Sequence, residues 1–283
     1  MRLEVKTVSY RASDAPEQFA TSLRDTGFAV LADHPITPAL MDEAYACWQK
    51  FFASSDGEKE EWHFNPDTQD GYFPFRSENA KGAAAKDLKE FFHVYPWGQV
   101  PPATKDISKK LYEALMALGL ELTKWLDAHM VANNKANGNP TRFYDMLNGS
   151  DQSLLRVLHY PPVAEQHEEG AIRAAAHADI NLITLLVAGT EPGLEAQDNS
   201  GAWHKITCDK GMIAINAGDM LALASDNYFP STEHRVVNPD NQPNTSRYSM
   251  PMFLHPRPEV SLTSDKTAKM FLQERLKEIG LKK

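Results

Sequence analysis

The sequence predicts an α+β fold with a mainly β core, a jelly roll (double-stranded β-helix) with helices packed before it and one helix after it. Helical periodicity is clearest in the first 150 residues. From Ser153 onward, short alternating runs are separated by Gly, Pro, Asn and Asp, which is typical of antiparallel strands. So many short strands favour a jelly roll.

The first half of the chain carries the helical signals. Asp14 is a predicted N-cap with Pro16 just inside the helix, and Gly27 ends that helix. A strand is expected at 28–31, and Thr37-Pro38 opens a second helix. The segment 105–131 has leucines at helical spacing and predicts a long scaffold helix packed on the sheet. Its leucine stripe indicates core packing, not a cofactor site.

The second half alternates apolar and polar residues with the period of two that strands require. Strands are predicted at 154–160, 182–187, 194–197, 203–206, 212–216, 235–237 and 246–254, followed by an amphipathic helix at 266–279. The polar run 133–139 is expected to be an exposed loop. Asp219 is expected to cap or turn the chain after Gly218, and Glu233 to point away from the neighbouring His234.

A candidate metal site lies in this β region. If the chain from Arg173 begins as a strand, His177 and Asp179 share a face and can bind one ion while Ala178 points away. His234 follows 57 residues later (234 − 177), far enough for antiparallel strands to return the chain to the same metal. Two imidazoles and one carboxylate leave positions open for an organic ligand and O2 on iron. The spacing therefore predicts a non-haem Fe(II) site.

A candidate anion-binding pair follows the metal site. Arg247 comes 13 residues after His234 (247 − 234), enough for a hairpin turn and a return strand. Arg247 and Ser249 share a face of that strand, and the planar guanidinium can bind both oxygens of a carboxylate. Arg11-Ala-Ser13 is a second Arg-x-Ser pattern, and His167-Glu-Glu169 is a second possible metal-ligand pair. Both lie in polar stretches without strand periodicity and are rejected.

The chain resembles the isopenicillin N synthase-like family of Fe(II)/2-oxoglutarate-dependent oxygenases over nearly its whole length. The core segments that carry the resemblance are Arg156-Val-Leu-His-Tyr-Pro-Pro162, the segments 177–186 and 213–220, and the segment 234–239 with 247–251. The segments 27–36, 71–75 and 87–91 are similar to the family's N-terminal region. The resemblance implies one catalytic domain over 1–283, with an N-terminal region at 1–150, a jelly-roll core at 151–256 and a C-terminal helix at 257–283.

The resemblance also implies site residues and an activity. His177, Asp179 and His234 match the family's iron ligands, and Arg247 with Ser249 matches the pair that binds the distal carboxylate of 2-oxoglutarate. The implied enzyme is a dioxygenase that uses Fe(II), 2-oxoglutarate and O2, with ascorbate as a reductant. It would hydroxylate or desaturate a small organic molecule and release succinate and CO2.

Two further positions bear on the pocket. Tyr160 matches a family tyrosine that often contacts the cosubstrate, whereas Leu158 stands where many plant members have Asn, so any contact from that Asn is absent here. The segments 71–76 and 91–94 hold aromatic residues, an Arg and a His, and are candidate substrate-side elements near the mouth of the barrel. Simple packing of an N-terminal strand explains these segments equally well.

Two other activities fit parts of the pattern. An iron oxidase of the same fold would not use 2-oxoglutarate, and Arg247 would hold the substrate's own carboxylate. A zinc hydrolase could also use His-x-Asp, but it would need further carboxylates. Glu168, Glu169 and Glu195 are the candidates, and none has the right motif.

Composition narrows the partners and the compartment. A net charge of −9 and a pI near 5.6 argue against a nucleic-acid or anionic-membrane surface. Two cysteines, Cys47 and Cys208, are too few for a disulfide framework and indicate a reducing compartment. The sequence shows neither a signal-peptide pattern nor an apolar run long enough to span a membrane. We expect a cytoplasmic protein with a small-molecule substrate. The sequence leaves the oligomeric state open and is compatible with a monomer.

Overall fold

The computed structural model describes residues 3–78, 86–135, 141–163, 172–238 and 243–278. The helices are α1 (Ala15–Thr26), α2 (Pro38–Phe52), α3 (Asp56–Glu60), α4 (Pro102–Ala132), α5 (Phe143–Leu147), α6 (Asp219–Ala224) and α7 (Ala268–Glu278). The strands are β1 (Thr7–Ser9), β2 (Phe28–Ala32), β3 (Gly71–Phe73), β4 (Glu90–Val94), β5 (Leu154–Tyr160), β6 (Ala174–His177), β7 (Ile183–Val187), β8 (Leu194–Gln197), β9 (Trp203–Lys205), β10 (Ile213–Ala217), β11 (His234–Val236) and β12 (Arg247–Leu254).

These strands form two sheets with a cavity between them. The larger sheet has the order β1-β2-β10-β7-β12-β5-β4-β3, and the smaller has the order β6-β11-β8-β9. The central pairs β10–β7, β7–β12 and β12–β5 are antiparallel, as are β6–β11 and β11–β8. Residues of β5, β7 and β12 on one side and of β6, β8 and β11 on the other line the cavity. The predicted jelly-roll architecture is confirmed.

Helix α4 covers the outer face of the larger sheet. Its buried leucines, among them Leu115 and Leu122, belong to the main hydrophobic core together with Leu185 and Leu254 of the sheet. A Cβ atom at Gly119 of α4 would lie 2.1 Å from Cδ1 of Leu254, so the helix approaches the sheet this closely only because that residue lacks a side chain. The predicted scaffold helix is confirmed, with bounds slightly wider than expected.

The N-terminal helices begin and end close to the predicted residues. Gly27 has a φ of 73° and its amide donates to the carbonyl of Leu23, which ends α1. Thr37 caps α2 by accepting a hydrogen bond from the amide of Leu40. Asp14 precedes α1, but its side chain makes no capping hydrogen bond, so the predicted cap is wrong in its chemistry. Pro16 in the first turn still favours the helix start.

Several predicted elements shift or were missed. The strand predicted from Arg173 stops at His177, so Asp179 lies in the connection to β7. Asp219 does turn the chain after Gly218, because it begins the short helix α6. The polar run 133–139 follows the end of α4, and its last residues lie outside the described part of the chain. Within the described residues, helices are too short or too polar to cross a bilayer.

Candidate active site

The two candidate histidines are neighbours across the smaller sheet. His177 is the last residue of β6 and His234 is the first of β11, and the two are directly paired in the antiparallel register. The centroids of their rings lie 4.4 Å apart. Glu233, just before His234, is exposed while His234 is buried, as expected. Strand pairing therefore brings together two side chains that are 57 residues apart (234 − 177).

Asp179 completes the cluster from outside the strand. Its Oδ1 lies 3.8 Å from Nε2 of His177 and 3.8 Å from Nε2 of His234. The expectation that one strand supplies both His177 and Asp179 is wrong, because β6 ends at His177 and the chain turns toward β7. Separations of 3.8 Å are too long for hydrogen bonds and leave space for one ion between the three atoms. Among the described residues this is the one His/Cys/Asp/Glu cluster with metal-binding geometry.

Backbone carbonyls fix the orientation of both imidazoles. Nδ1 of His177 lies 2.8 Å from the carbonyl oxygen of Ala175, and Nδ1 of His234 lies 3.2 Å from that of Thr232. A carbonyl can only accept, so each Nδ1 carries the proton and each Nε2 presents a lone pair to the cluster. Burial within the cavity walls, with a contribution from His234, lowers the pKa of His177 to about 4. His177 is therefore neutral at physiological pH, as a metal ligand must be.

Two polar side chains in otherwise apolar strands hold the Asp179 carboxylate. Its Oδ2 accepts hydrogen bonds from Oγ1 of Thr184 at 2.5 Å and from Nδ2 of Asn216 at 2.8 Å. Burial alone would raise the pKa of Asp179, but the two histidines and these hydrogen bonds outweigh it, and the pKa is lowered. Oδ2 is thereby occupied and Oδ1 is left for a metal. Neither Thr184 nor Asn216 was predicted as a site residue. A polar residue within an apolar strand could have indicated them, because a buried polar group needs a hydrogen-bond partner.

The candidate anion-binding residues lie along the cavity on two paired strands. Arg247 is directly opposite Tyr160 and Ser249 is opposite Leu158, so all four side chains face the cavity, as β12 and β5 alternate. The guanidinium carbon of Arg247 lies 5.2 Å from the centroid of the Tyr160 ring. Arg247 and Ser249 are each 2 % exposed. The shared face predicted for these two residues is confirmed.

A backbone carbonyl positions the Arg247 guanidinium, and one of its nitrogen atoms has no hydrogen-bond acceptor among the described residues. Its Nε donates to the carbonyl of Glu191 at 2.9 Å, while its Nη1 is buried without a hydrogen-bond partner among the described residues. A second buried arginine, Arg173, also has an unpartnered Nε there. Burial, and then repulsion from Arg247, lowers the pKa of Arg173. The unused donor of Arg247, which lines the cavity, fits a bound carboxylate at this end, and the nearby charge of Arg173 favours an anion there.

Close packing against a glycine determines where Arg247 can lie. A Cβ atom at Gly189 would lie 2.9 Å from Nη2 and 3.1 Å from Cζ of Arg247. Any larger residue at that position would displace the guanidinium. Nothing in the sequence marks Gly189, because the contact joins residues 58 positions apart (247 − 189).

The candidate substrate-side segments 71–76 and 91–94 pack beside the cavity without lining it. Phe73 of β3 stacks on Phe91 of β4 at a centroid distance of 4.5 Å. The residues of this region that do reach the cavity are Lys89, just before β4, and Arg156 of β5. The aromatic rings of these segments therefore form a packing layer, as the alternative explanation expected, and Lys89 and Arg156 reach the cavity in this region.

Of the carboxylates considered for a zinc hydrolase, the described one, Glu195, is not part of the cluster. Glu195 accepts a hydrogen bond from Arg235, whose Nη2 lies 2.8 Å from Oε2 of Glu195. Glu168 and Glu169, and with them the rejected pair His167-Glu-Glu169, lie outside the described residues. The described cluster thus offers two imidazoles and one carboxylate, the donor set of non-haem iron oxygenases.

Comparison with known proteins gives consistent matches over the whole chain. The family model described as the 2OG-Fe(II) oxygenase superfamily matches residues 151–256, and the model described as non-haem dioxygenase in morphine synthesis N-terminal matches residues 7–116. The chain is 29 % identical over 275 residues to the 2-oxoglutarate-dependent dioxygenase citB of Monascus ruber, covering 85 % of this chain and 79 % of that protein.

Two solved bacterial structures share both fold and sequence. One is a Shewanella oneidensis protein assigned as an oxygenase, with 45 % identity, a TM-score of 0.87 and coverage of 98 % of this chain and 99 % of that one. The other is a Caulobacter crescentus protein assigned to the 2OG-Fe(II) oxygenase family, with 32 % identity, a TM-score of 0.80 and coverage of 97 % and 99 %.

Proposed function

The chain belongs to the 2OG-Fe(II) oxygenase superfamily and is a non-haem Fe(II)- and 2-oxoglutarate-dependent dioxygenase, and we propose that His177, Asp179 and His234 are its iron ligands. The observation that carries this proposal is that Nε2 of His177, Oδ1 of Asp179 and Nε2 of His234 converge. Oδ1 of Asp179 lies 3.8 Å from each of the two Nε2 atoms. With 2-oxoglutarate and O2, the iron supplies oxidative decarboxylation to succinate and CO2 coupled to oxidation of a C–H bond.

The chain's own residues prepare this site. Ala175 and Thr232 hold the protons of His177 and His234 on Nδ1, so that both lone pairs face the ion. Thr184 and Asn216 hold the outer oxygen of the Asp179 carboxylate. Such partners fix ligand orientation before a metal binds, and their loss typically weakens metal affinity.

We further propose that Arg247, Ser249 and Tyr160 bind the distal carboxylate of 2-oxoglutarate. The support is the unpartnered Nη1 of Arg247, the hydroxyl of Ser249 on the same face and the phenol of Tyr160 directly opposite. A carboxylate there would supply the acceptors that the buried guanidinium lacks. The walls around it exclude water, which strengthens this pairing.

The remaining proposals concern substrate, organisation and compartment. A small organic molecule is the proposed substrate, oxidised by hydroxylation or desaturation. We propose that 1–283 acts as one catalytic domain, because β2, β3 and β4 of the N-terminal region lie in the same sheet as the core strands. A cytoplasmic location is proposed from composition, with Cys47 and Cys208 unbonded.

The decisive experiment is anaerobic titration of the purified protein, first with Fe(II) and then with 2-oxoglutarate. We expect one iron per chain and, with cosubstrate, the weak visible band of a chelated 2-oxo acid. Asp179→Ala should lose iron binding and succinate formation while keeping its circular dichroism spectrum. Unchanged iron affinity in that variant would overturn the ligand assignment, and full turnover with Zn(II) alone would support the hydrolase.

A further inference from the structure

One wall of the cavity carries two cationic side chains that belong neither to the proposed iron site nor to the proposed cosubstrate site. Lys89 and Arg156 line it, and Lys89 is only 6 % exposed. Nζ of Lys89 lies 2.8 Å from Oδ2 of Asp87 and 2.9 Å from Oε2 of Glu78, and Nη1 of Arg156 lies 3.2 Å from the same Glu78 oxygen. Lys89 and Arg156 thus line the cavity, whereas the carboxylates that pair with them are not among its described lining residues.

Neighbouring side chains hold the Arg156 guanidinium in place. Its Nε donates to Nε2 of His93 at 2.8 Å, and Nδ1 of His93 in turn donates to the carbonyl of Gln69 at 2.7 Å. His93 is therefore neutral, consistent with burial holding its pKa well below the usual value. The guanidinium carbon also lies 4.6 Å from the centroid of Phe91 and 5.4 Å from that of Phe253.

Among the described residues, the Arg156 guanidinium has more hydrogen-bond donors than acceptors to bind them. Its hydrogen bonds to His93 and Glu78 use two of the five N–H groups of a guanidinium. The other donors have no protein acceptor there, and the side chain is 19 % exposed. A fixed, planar donor with free N–H groups toward a cavity is suited to a carboxylate.

The register separates Arg156 from Arg247, which lies at the proposed cosubstrate end of the cavity. Because Ser249 pairs with Leu158 and Met252 with Leu155, Arg156 falls opposite Pro251 (249 + 158 = 251 + 156). Arg247 lies four residues farther along β12, which is about 13 Å at the rise of a strand. One carboxylate cannot span that separation, so Arg156 and Arg247 serve different groups.

One strand, β12, lies between Arg156 and Thr184, the residue that holds Asp179. Thr184 pairs with Phe253 of β12, which pairs with Leu154 of β5, two residues from Arg156. Two strand spacings, together about 10 Å, and an offset of about 7 Å along the strand therefore separate the backbones of Thr184 and Arg156, an interval that suits a small molecule. Apolar side chains cover the interval, namely Leu158, Leu186, Val236, Pro251 and Phe253.

We propose that Arg156, assisted by Lys89, binds the carboxylate of the primary substrate, which is a small organic acid with an apolar body. This inference rests on the proposed function and names the substrate class for it. Among the described residues that line the cavity, the cations are Lys89, Arg156 and Arg247, and the one carboxylate is Asp179, a proposed iron ligand. A monoanion fits better than a phosphate dianion, since Lys89 and Arg156 already share the charges of Glu78 and Asp87.

The test uses matched pairs of acid and amide. Phenylacetate and phenylacetamide, and hexanoate and hexanamide, are titrated against the Zn(II) and 2-oxoglutarate complex, which does not turn over, and binding is followed by ligand-observed NMR. We expect at least one acid to bind at least about tenfold more tightly than its amide, the difference expected for one charge-assisted pair. Arg156→Gln should remove the preference and Arg156→Lys should keep part of it.

The matched control is Arg235→Gln. Arg235 also pairs with a glutamate and lies 4.2 Å from an aromatic centroid, that of Trp203, but it does not line the cavity. The Arg235→Gln substitution should leave the preference for the acid over the amide unchanged. No acid binding by the wild type, equal affinity for acid and amide, or an acid preference that survives Arg156→Gln would each overturn the proposal. 2-Oxoglutarate binding is measured on every variant, so that loss of the oxygenase assignment itself is seen separately.

Discussion

Asn216 donates through Nδ2 to Oδ2 of Asp179 at 2.8 Å, joining a residue near the end of β10 to a residue in the connection before β7. Together with Thr184, it determines which carboxylate oxygen faces the two histidines. A pair 37 residues apart (216 − 179) thereby prepares the proposed metal site.

Removing these hydrogen bonds should weaken iron binding without removing a ligand. We predict that Asn216→Leu and Thr184→Val each lower Fe(II) affinity by about 10- to 100-fold, the usual effect of losing a partner that orients a ligand. Anaerobic titration with Fe(II) measures the change. Thr123→Val is the matched control, since Thr123 is a buried threonine of α4 whose hydroxyl also donates a hydrogen bond. Equal Fe(II) affinities in the wild type, the two site variants and the control would contradict the proposal that Asn216 and Thr184 position Asp179.

Arg247 should control affinity for the cosubstrate. Arg247→Ala is predicted to raise the half-saturating 2-oxoglutarate concentration at least about tenfold, because a charge-assisted hydrogen bond contributes about 1.5–3 kcal/mol. Arg247→Lys should recover only part of the loss, since the ammonium lacks the planar fork. Ser249→Ala should cause a smaller shift. The visible band of the anaerobic Fe(II) complex follows the titration, and a band indifferent to Arg247→Ala would point to the oxidase that does not use 2-oxoglutarate.

Gly189 offers a way to move Arg247 without altering it. The Cβ of Gly189→Ala would overlap the end of the Arg247 side chain, which is flexible, so the fold should persist while the guanidinium shifts. We predict weaker 2-oxoglutarate binding, by about tenfold for a misplaced charged hydrogen bond, with unchanged iron affinity. Gly57→Ala is the control, because nothing lies within 4 Å of a Cβ atom there. An unaltered 2-oxoglutarate titration in Gly189→Ala would argue against a role of Arg247 in binding it.

Two neutral histidines with lowered pKa values, the buried His93 and the half-buried His255, should make the metal-free protein sensitive to acid. Burial lowers the pKa of His255 to about 4 and holds that of His93 well below its usual value. The unfolded chain protonates these residues near pH 6.5 while the folded chain does not, so the unfolded state binds more protons in this window. The free energy of unfolding should therefore fall as the pH drops from about 6.5 toward 4, by on the order of 2–3 kcal/mol from His255 alone.

Urea denaturation at a series of pH values measures this dependence. His255→Phe removes one titrating group, so its curve should be flatter than that of the wild type between pH 6.5 and 4. Parallel curves for the two proteins would show that His255 does not titrate with an altered pKa in the folded state.

Local patterns in the sequence were sufficient for the approximate positions of most strands in the second half of the chain and of several candidate site residues. Period-two alternation places Arg247 and Ser249 on one face, and strand signals place His234 at a strand start, because side-chain direction along a strand depends only on the local backbone. The same reasoning failed for Asp179, since hydrophobic alternation does not reveal that β6 ends two residues earlier.

Tertiary structure decided which side chains support and complete the site. Thr184 and Asn216 meet Asp179, Gly189 meets Arg247, and Lys89 and Arg156 meet at one wall through contacts between segments distant in the sequence. These contacts depend on which strands pair and in what register, and a single sequence leaves many pairings open. The sequence by itself therefore determined the reaction class, through the order and spacing of the proposed iron ligands, whereas the packing of the two sheets decided how those side chains are held and which residues line the cavity.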